Sequence, residues 1–293
     1  MKKITTISII TLTYKNWHLL DAAILSVNNQ IVSPKYNVEY LIVDDGTEDF
    51  DEAVIDNALT MCPFDFKIIT NENNVGTVQS FNRAILQSKG DIIIPLSADD
   101  EFYDSYVVGN IINAFETSNE SIITGLRVPV SGRKELGVLP YKKDRVLFSD
   151  SQKLLKRLSK GNIISGASTY YKRSVFDEIG FFDEGYKLLE DFPFYLKALN
   201  SGISVFLLNK KTIKYGVAGL TSSSQINPLL KKDLIKVLDY NAKINKSSVF
   251  QQRYLSYRVL MDKKEKLKLM NILLYLDCFA TSIFNFIIKK ISK

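Results

Sequence analysis

The stretch Gly90-Asp91-Ile92-Ile93-Ile94-Pro95-Leu96-Ser97-Ala98-Asp99-Asp100 sets a short apolar run, Ile92–Leu96, directly against a cluster of acids that continues into Glu101. A run this short, rich in branched residues and closed by polar punctuation, reads as a strand buried on both faces. The same grammar recurs upstream. Ile4–Leu12 is rich in Ile and Thr, Tyr40–Val43 ends in the turn signal Asp44-Asp45-Gly46, and Phe66–Thr70 is a further strand. Helical patterns fall between them. Leu20, Ala23, Ile24 and Val27 share one face, and Val78–Leu86 is entered after the loop Asn73-Asn74-Val75-Gly76. Strand and helix signals that alternate in this way predict an α/β fold, with a mostly parallel central sheet between helical layers in a Rossmann-like α/β/α arrangement. In open α/β sheets the ligand lies beyond the carboxyl ends of the strands. Thr13-Tyr14, Asp44-Asp45 and Asp99-Asp100 all fall at such ends.

Further along the chain the pattern is less regular. Thr124 to Ser149 reads as strands and loops, Gly161–Tyr171 is polar and contains glycine, and Val175–Ile179 is a short helix. Leu188–Leu199 is a longer helix beginning near Glu190-Asp191, Ile203–Leu208 and Thr212–Tyr215 read as two strands, and everything from Asn227 onward is helical.

Composition excludes several classes of function. Two cysteines, Cys62 and Cys278, cannot build a disulfide framework or a Cys-rich zinc site, and one histidine, His18, cannot supply a paired-histidine metal site. The net charge is +6, and the segment from Asp262 to Lys293 carries seven lysines against three acids, so most of the excess sits there. Those lysines flank apolar residues and are not interleaved with arginines and aromatics, which favours a membrane surface over nucleic acid as partner. Behind the basic start Met1-Lys2-Lys3, the run Ile4 to Thr13 is broken by Thr5, Thr6, Ser8 and Thr11, a poor signal-peptide core. A cytoplasmic location, peripheral on the inner face of the membrane, is expected.

The acidic clusters suit different tasks. A carboxylate at Asp44 or Asp45 can accept from a base N–H or a ribose hydroxyl, and Tyr14 can stack on a nucleobase. Acids after the Ile92–Leu96 strand suit Mg²⁺ or Mn²⁺ bridging phosphates. Glu190-Asp191 lies in an apolar frame with Phe192, Phe194 and Tyr195. Such surroundings raise a carboxyl pKa toward the range of a general base. Each cluster, taken alone, fits a solvated turn or a helix cap equally well.

Taken in order, the clusters resemble family 2 glycosyltransferases, which are inverting enzymes of the GT-A fold. The matching residues are Ser8–Tyr14, Ile42–Thr47, Asn74-Val75-Gly76 with Asn82, Gly90–Asp100, Ile179–Glu184 and Leu189-Glu190-Asp191, and the resemblance covers roughly residues 4 to 222. It implies a catalytic unit over 1–222, with a nucleotide-sugar-binding half at 1–100 and an acceptor-binding half at 101–222, followed by a helical extension over 223–293. It implies that Thr13, Tyr14, Asp44, Asp45, Asn74, Gly76, Asn82, Ala98, Asp99 and Gly166 line the donor site. Asp99, with Ser97, would hold Mn²⁺ or Mg²⁺, and Asp191, with Glu190 beside it, would be the catalytic base. The implied donor is a nucleotide sugar, a UDP-sugar by preference. The implied acceptor is a glycan or lipid-linked oligosaccharide of a bacterial surface polysaccharide. A non-catalytic nucleotide-sugar-binding module on the same fold is the alternative. Three departures bear on that choice. Ser97 replaces the first acid of the family's Asp-x-Asp motif, Phe81 stands where a basic residue often precedes Asn82, and Lys214–Ser222 has neither His nor Arg. A sugar nucleotidyltransferase would need a glycine-rich phosphate loop after the first strand, and Thr11–Trp17 contains no glycine.

Within the extension, a helix over 263–290 places Leu269, Ile272, Leu273, Leu276, Phe279, Ala280, Ile283, Phe284 and Ile287 on one side. Asn271, Cys278, Thr281, Ser282, Asn285 and Lys289 fall on the other, with Asp277 at the boundary. A two-faced helix bracketed by lysines predicts in-plane membrane association, with the protein's own core or a second subunit as the alternative cover, the latter giving a homodimer.

Overall fold

Side-chain alternation in the first strands creates two cores. In β1 (Thr6–Thr13), Ile7 and Ile9 enter one core and Ile10 the other; in β2 (Asn37–Asp44), Tyr40 and Ile42 divide in the same way from Leu41 and Val43. After β3 (Asp65–Thr70), β4 (Ile92–Pro95) repeats the division, with Ile92 and Ile94 against Ile93. Strands apolar on both faces must be covered on both faces. The structure, a computed structural model, describes residues 3–132, 134–216 and 227–291.

The early helices are α1 (Leu20–Asn28), α2 (Glu52–Leu59), α3 (Thr77–Gln87) and α4 (Val107–Thr117). Helices α1, α2 and α4 cover one face. The other is covered by α3 together with α6 (Ser151–Leu158), α7 (Ser174–Ile179) and α8 (Asp191–Asn200), which follow the single turn α5 (Lys142–Arg145). The remaining strands are β5 (Glu101–Phe102), β6 (Ile122–Ser131), β7 (Lys134–Glu135), β8 (Thr169–Lys172) and β9 (Val205–Gly216). The sheet runs β3-β2-β1-β4-β8-β6-β9-β5, with β7 paired on β6. Its first four strands are parallel, β8 is antiparallel to β4 and β6, and β9 is parallel to β6. This is the mostly parallel, helix-covered sheet that the sequence pattern predicts.

Two expectations are corrected. The segments read as two strands, Ile203–Leu208 and Thr212–Tyr215, are the single strand β9. Its register against β6 shifts on either side of the Leu126–Lys211 pair, so the extra residues of β9 on both sides of Lys211 are accommodated without ending the ladder. The expected single helix over 263–290 is three pieces, α11 (Lys263–Lys266), α12 (Leu269–Leu274) and α13 (Leu276–Ile291). Tyr275, at φ −119° and ψ 33°, leaves helical geometry between the last two.

The preceding helices, α9 (Pro228–Ile244) and α10 (Val249–Leu260), tie the C-terminal helices to the layer that covers the sheet. Val237 of α9 lies in the same core as Leu158 of α6 and Leu199 of α8, and buried Asn241 donates to the Leu158 carbonyl at 3.0 Å. The rotation of α13 is set by α10. Arg253 pairs with Asp277 at 3.5 Å, the Tyr257 and Tyr275 rings meet at 5.6 Å, and Cys278 is buried. Cys278, assigned from the wheel to the polar side, therefore faces the protein, while Leu269, Leu273, Leu276, Ile283 and Phe284 are exposed. The expectations for the side chains of Asn285, Ile287 and Lys289, and for the loop residues Val217–Ser222, lie outside the described residues.

Candidate active site

Because β1, β2 and β4 are parallel, Thr13, Asp44 and Leu96 emerge at one edge of the sheet. β8 runs the other way, so the 3-10 turn before it, Gly166–Ser168, reaches the same edge. α8 begins there too, because Gly166 lies against Asp191.

Two neighbouring aspartates at the end of β2 differ sharply. Asp45 is closed off by the protein. Its Oδ1 accepts from Asn71 Nδ2 at 3.0 Å, the Val75 N–H at 3.0 Å and the Ser80 hydroxyl at 2.7 Å, and its Oδ2 accepts from the Gly76 N–H at 2.9 Å. It shapes the loop into α3. Asp44 is fully buried; its Oδ2 accepts from the Thr47 N–H at 2.6 Å, and its Oδ1 has no partner among the described residues. Thr13, opposite Asp44 in the ladder, donates to Asn16 Oδ1 at 2.9 Å. Tyr14 is 41% exposed, with Lys15 Nζ 5.2 Å from its ring centre. Asn74 is exposed. Asn82 is buried and spent on structure, since its amide donates to the Phe182 carbonyl at 2.9 Å and to Glu184 at 3.1 Å and accepts from the Phe182 N–H.

After β4, Ala98 is buried, whereas Ser97 and Asp99 are half-buried. Asp100 is 1% exposed and accepts from the Gly216 N–H at 3.2 Å; its Oδ2 has no partner among the described residues. Burial, then the adjacent Asp99 charge, push its carboxyl up to about 7 against the opposing Gly216 N–H, the nearby Ser97 hydroxyl and Arg127. Glu101 pairs with Lys214 at 3.6 Å. Among the described residues no group of three or more His, Cys, Asp or Glu stands together as a ready metal cage. One partly solvated carboxylate, Asp99, fits a hard cation whose remaining ligands are substrate phosphates and water.

Glu190 and Asp191 form the second acidic centre. Asp191 Oδ1 accepts from the Phe192 N–H at 2.6 Å, and its Oδ2 accepts from the Gly166 N–H at 3.2 Å and Asn162 Nδ2 at 3.3 Å. Burial raises both carboxyls. The Asp191 charge raises Glu190 further, while the Phe192 and Gly166 N–H groups and Arg127 hold Asp191 down. A Cβ on Gly166 would stand 3.2 Å from Asp191 Cβ and 3.3 Å from Glu190 Oε1, so the lack of a side chain at residue 166 lets the turn close on the pair without displacing either acid. Beneath them, Tyr171, Phe176, Phe182 and Phe194 pack edge to face and tilted, with centroids 4.7–5.7 Å apart.

The model of the family described as glycosyl transferase family 2 matches residues 8–180, more than half of the chain. The chain belongs to glycosyl transferase family 2. That membership makes it a glycosyltransferase and gives its acidic edge a chemical context. The transferase is 26% identical over 205 residues to the minor teichoic acid biosynthesis protein GgaA of Bacillus subtilis, a match covering 66% of this chain and 43% of GgaA. It is 28% identical to the uncharacterized glycosyltransferase YwdF of the same organism, covering 66% of this chain and 67% of YwdF. The chain thus spans less than half the length of GgaA. Among solved structures it is similar to S. aureus TarS 1-349 in complex with UDP-GlcNAc, with a TM-score of 0.67 and 16% identity, covering 94% of this chain and 79% of TarS 1-349. That likeness establishes the GT-A fold.

Two residues of this edge are absent from the sequence reading. Arg127 of β6 acts electrostatically on both acidic centres. Its signal was present, as a charged residue between buried Leu126 and Val128. Asp233 of α9 accepts from the Lys187 and Leu188 N–H groups at 2.8 and 2.7 Å, anchoring the loop that leads to Glu190. No local pattern marks it, because its partners are more than forty positions away.

Proposed function

We propose that this transferase moves a sugar from a UDP-sugar to a hydroxyl of a surface-polymer acceptor, of teichoic-acid type, with inversion at the anomeric carbon. The observation that carries the reading is the acidic pair at the start of α8, with three donors aimed at the Asp191 carboxyl, on the same sheet edge as Asp99. The complexes of TarS 1-349 with UDP and with UDP-GlcNAc, and the similarity to GgaA, a minor teichoic acid biosynthesis protein, support the substrate classes. In this reading Asp191 takes the proton of the acceptor hydroxyl as its oxygen attacks the anomeric carbon, and the sugar–diphosphate bond breaks on the opposite face. Burial raises both carboxyls, and the N–H donors on Asp191 oppose that rise, so of the two Asp191 is the one favoured to carry the charge and Glu190 the one favoured to hold the proton. Tyr14 and Asp44 Oδ1 are the donor-side contacts, with Thr13 lining the same end. Asp45, Gly76 and Asn82 shape the pocket from behind. A divalent cation, Mn²⁺ or Mg²⁺, held by Asp99 would supply neutralisation of charge on the leaving diphosphate.

The exposed apolar side of α12 and α13, beside Lys264, Lys266 and Lys268, is read as a surface that rests on an anionic membrane. No helix of the described residues is long and apolar enough to cross a membrane. Thermal-shift screening against a panel of nucleotide sugars, with and without Mn²⁺, tests the donor. Stabilisation by UDP-sugars above other nucleotides is expected, and indifference to all of them refutes the reading.

A further inference from the structure

We infer that Arg127 is an anion-binding residue of this site, whose guanidinium takes a phosphate oxygen of the substrate. Thr124 is the last residue of β6 paired with β8, opposite Thr169, so Arg127 lies past the end of β8, level with the turn that carries Gly166. Its backbone is fixed there by reciprocal hydrogen bonds with Leu139, both at 2.9 Å. Its side chain is half-buried and stacks over the Tyr215 ring at 5.2 Å. Among the described residues the guanidinium makes no hydrogen bond and no ion pair. A half-buried guanidinium with idle donors is costly unless a ligand completes it.

The surroundings name the ligand. Asp44, Asp99, Asp100, Glu190 and Asp191 crowd this edge, while the cation Lys214 is occupied by Glu101. A substrate bearing phosphate that enters such an edge is favoured by a side-chain cation that still has donors to give, and the planar fork of arginine matches phosphate geometry. The Arg127 charge acts on both Asp100 and Asp191, so the guanidinium lies within electrostatic reach of both acidic centres.

The inference rests on the sugar-transfer reading, and the phosphate belongs to the donor diphosphate or to a phosphate of the acceptor. The full chain and its Arg127→Gln and Arg127→Lys variants are titrated calorimetrically with UDP, with uridine, and, after saturation with UDP, with glycerol 3-phosphate. Arg127→Gln is expected to weaken UDP or glycerol 3-phosphate by about ten- to a hundredfold, with uridine unchanged and Arg127→Lys recovering part of the loss. A loss on UDP assigns the donor, and a loss on glycerol 3-phosphate assigns the acceptor. Equal binding of both phosphates by wild type and Arg127→Gln overturns the inference. A parallel loss of uridine also overturns it, since that marks a disturbed nucleoside pocket. Wild-type protein that binds neither UDP nor uridine overturns the sugar-donor reading itself.

Discussion

At the scale of single residues, the acidic pair carries the sharpest expectations. Asp191→Asn keeps the shape of the side chain and removes its basicity. A positioned base contributes about 10²–10⁴-fold, so kcat should fall by that order while UDP affinity, measured by calorimetry, is unchanged. A kcat within twofold of wild type, by about the precision of such assays, would remove Asp191 from the base role. Glu190 makes a separate prediction through pH. Its folded-state pKa lies above its ordinary 4.5, so the folded protein keeps a proton that the unfolded chain has already released. Stability therefore falls as pH rises from 4.5 through the raised value. Glu190→Gln removes the share of that decline that Glu190 contributes, beside the shares of the raised Asp100 and Asp191 carboxyls. Its melting temperature should match wild type near about pH 4 and exceed it increasingly toward about pH 9, by about 2–4 °C for each 1 kcal/mol recovered. Parallel melting curves across that range would show that Glu190 is not held protonated by its surroundings.

At the scale of elements, the loop before α8 is held from two sides. The Val78 N–H donates to the Lys187 carbonyl at 3.3 Å from the start of α3, and Asp233 of α9 accepts from Lys187 and Leu188. Gly76 permits the first contact. Its φ is +92°, and a Cβ there would stand 2.8 Å from the Lys187 carbonyl oxygen. Asp233→Ala leaves the part-buried Lys187 and Leu188 N–H groups without their charged acceptor, at a cost of about 1–3 kcal/mol. The melting temperature should drop accordingly, and kcat should fall while UDP affinity holds, because the loosened loop carries Glu190 and Asp191. Unchanged turnover in a destabilised Asp233→Ala protein would mean that α9 supports the fold without positioning the acids.

At the scale of the whole molecule, the tail is docked by its polar and aromatic side and turns its apolar side outward. Leu267, Leu269, Met270, Leu273, Leu274 and Leu276 are 58–73% exposed, a patch rarely left open unless something covers it. If an anionic bilayer covers it, full-length protein floats with anionic vesicles, and a chain ending at Asp262 does not. Each lysine near such a surface adds about 1 kcal/mol, so high salt should weaken flotation without abolishing it. Equal flotation of both chains, or none by either, would leave a second subunit as the cover, visible as concentration-dependent mass in solution. Truncation at Asp262 preserves α9 and its Asp233 anchor, so UDP binding should survive it.

Much of this protein was already written in local sequence. Apolar runs of strand length, helix faces between them and acids at the strand ends required a sheet covered on both sides with its chemistry at one edge, because period and burial are local properties. The ordered motifs carried the family for the same reason. What the chain alone left open was which members of each cluster are free to act. Asp44 and Asp45 are equivalent in sequence, yet one carboxylate is saturated by Asn71, Val75, Gly76 and Ser80 and the other keeps an idle oxygen. Asn82 has the composition of a ligand contact and is consumed by Phe182, a hundred residues away. The helical wheel of the tail assumed one continuous helix, whereas the break at Tyr275 and docking on Arg253 and Tyr257 turn Cys278 inward and leave Leu269, Leu273, Leu276, Ile283 and Phe284 outward. Hydrogen-bond saturation and helix rotation depend on partners distant in the chain, and those partners meet only when the sheet and its layers have closed.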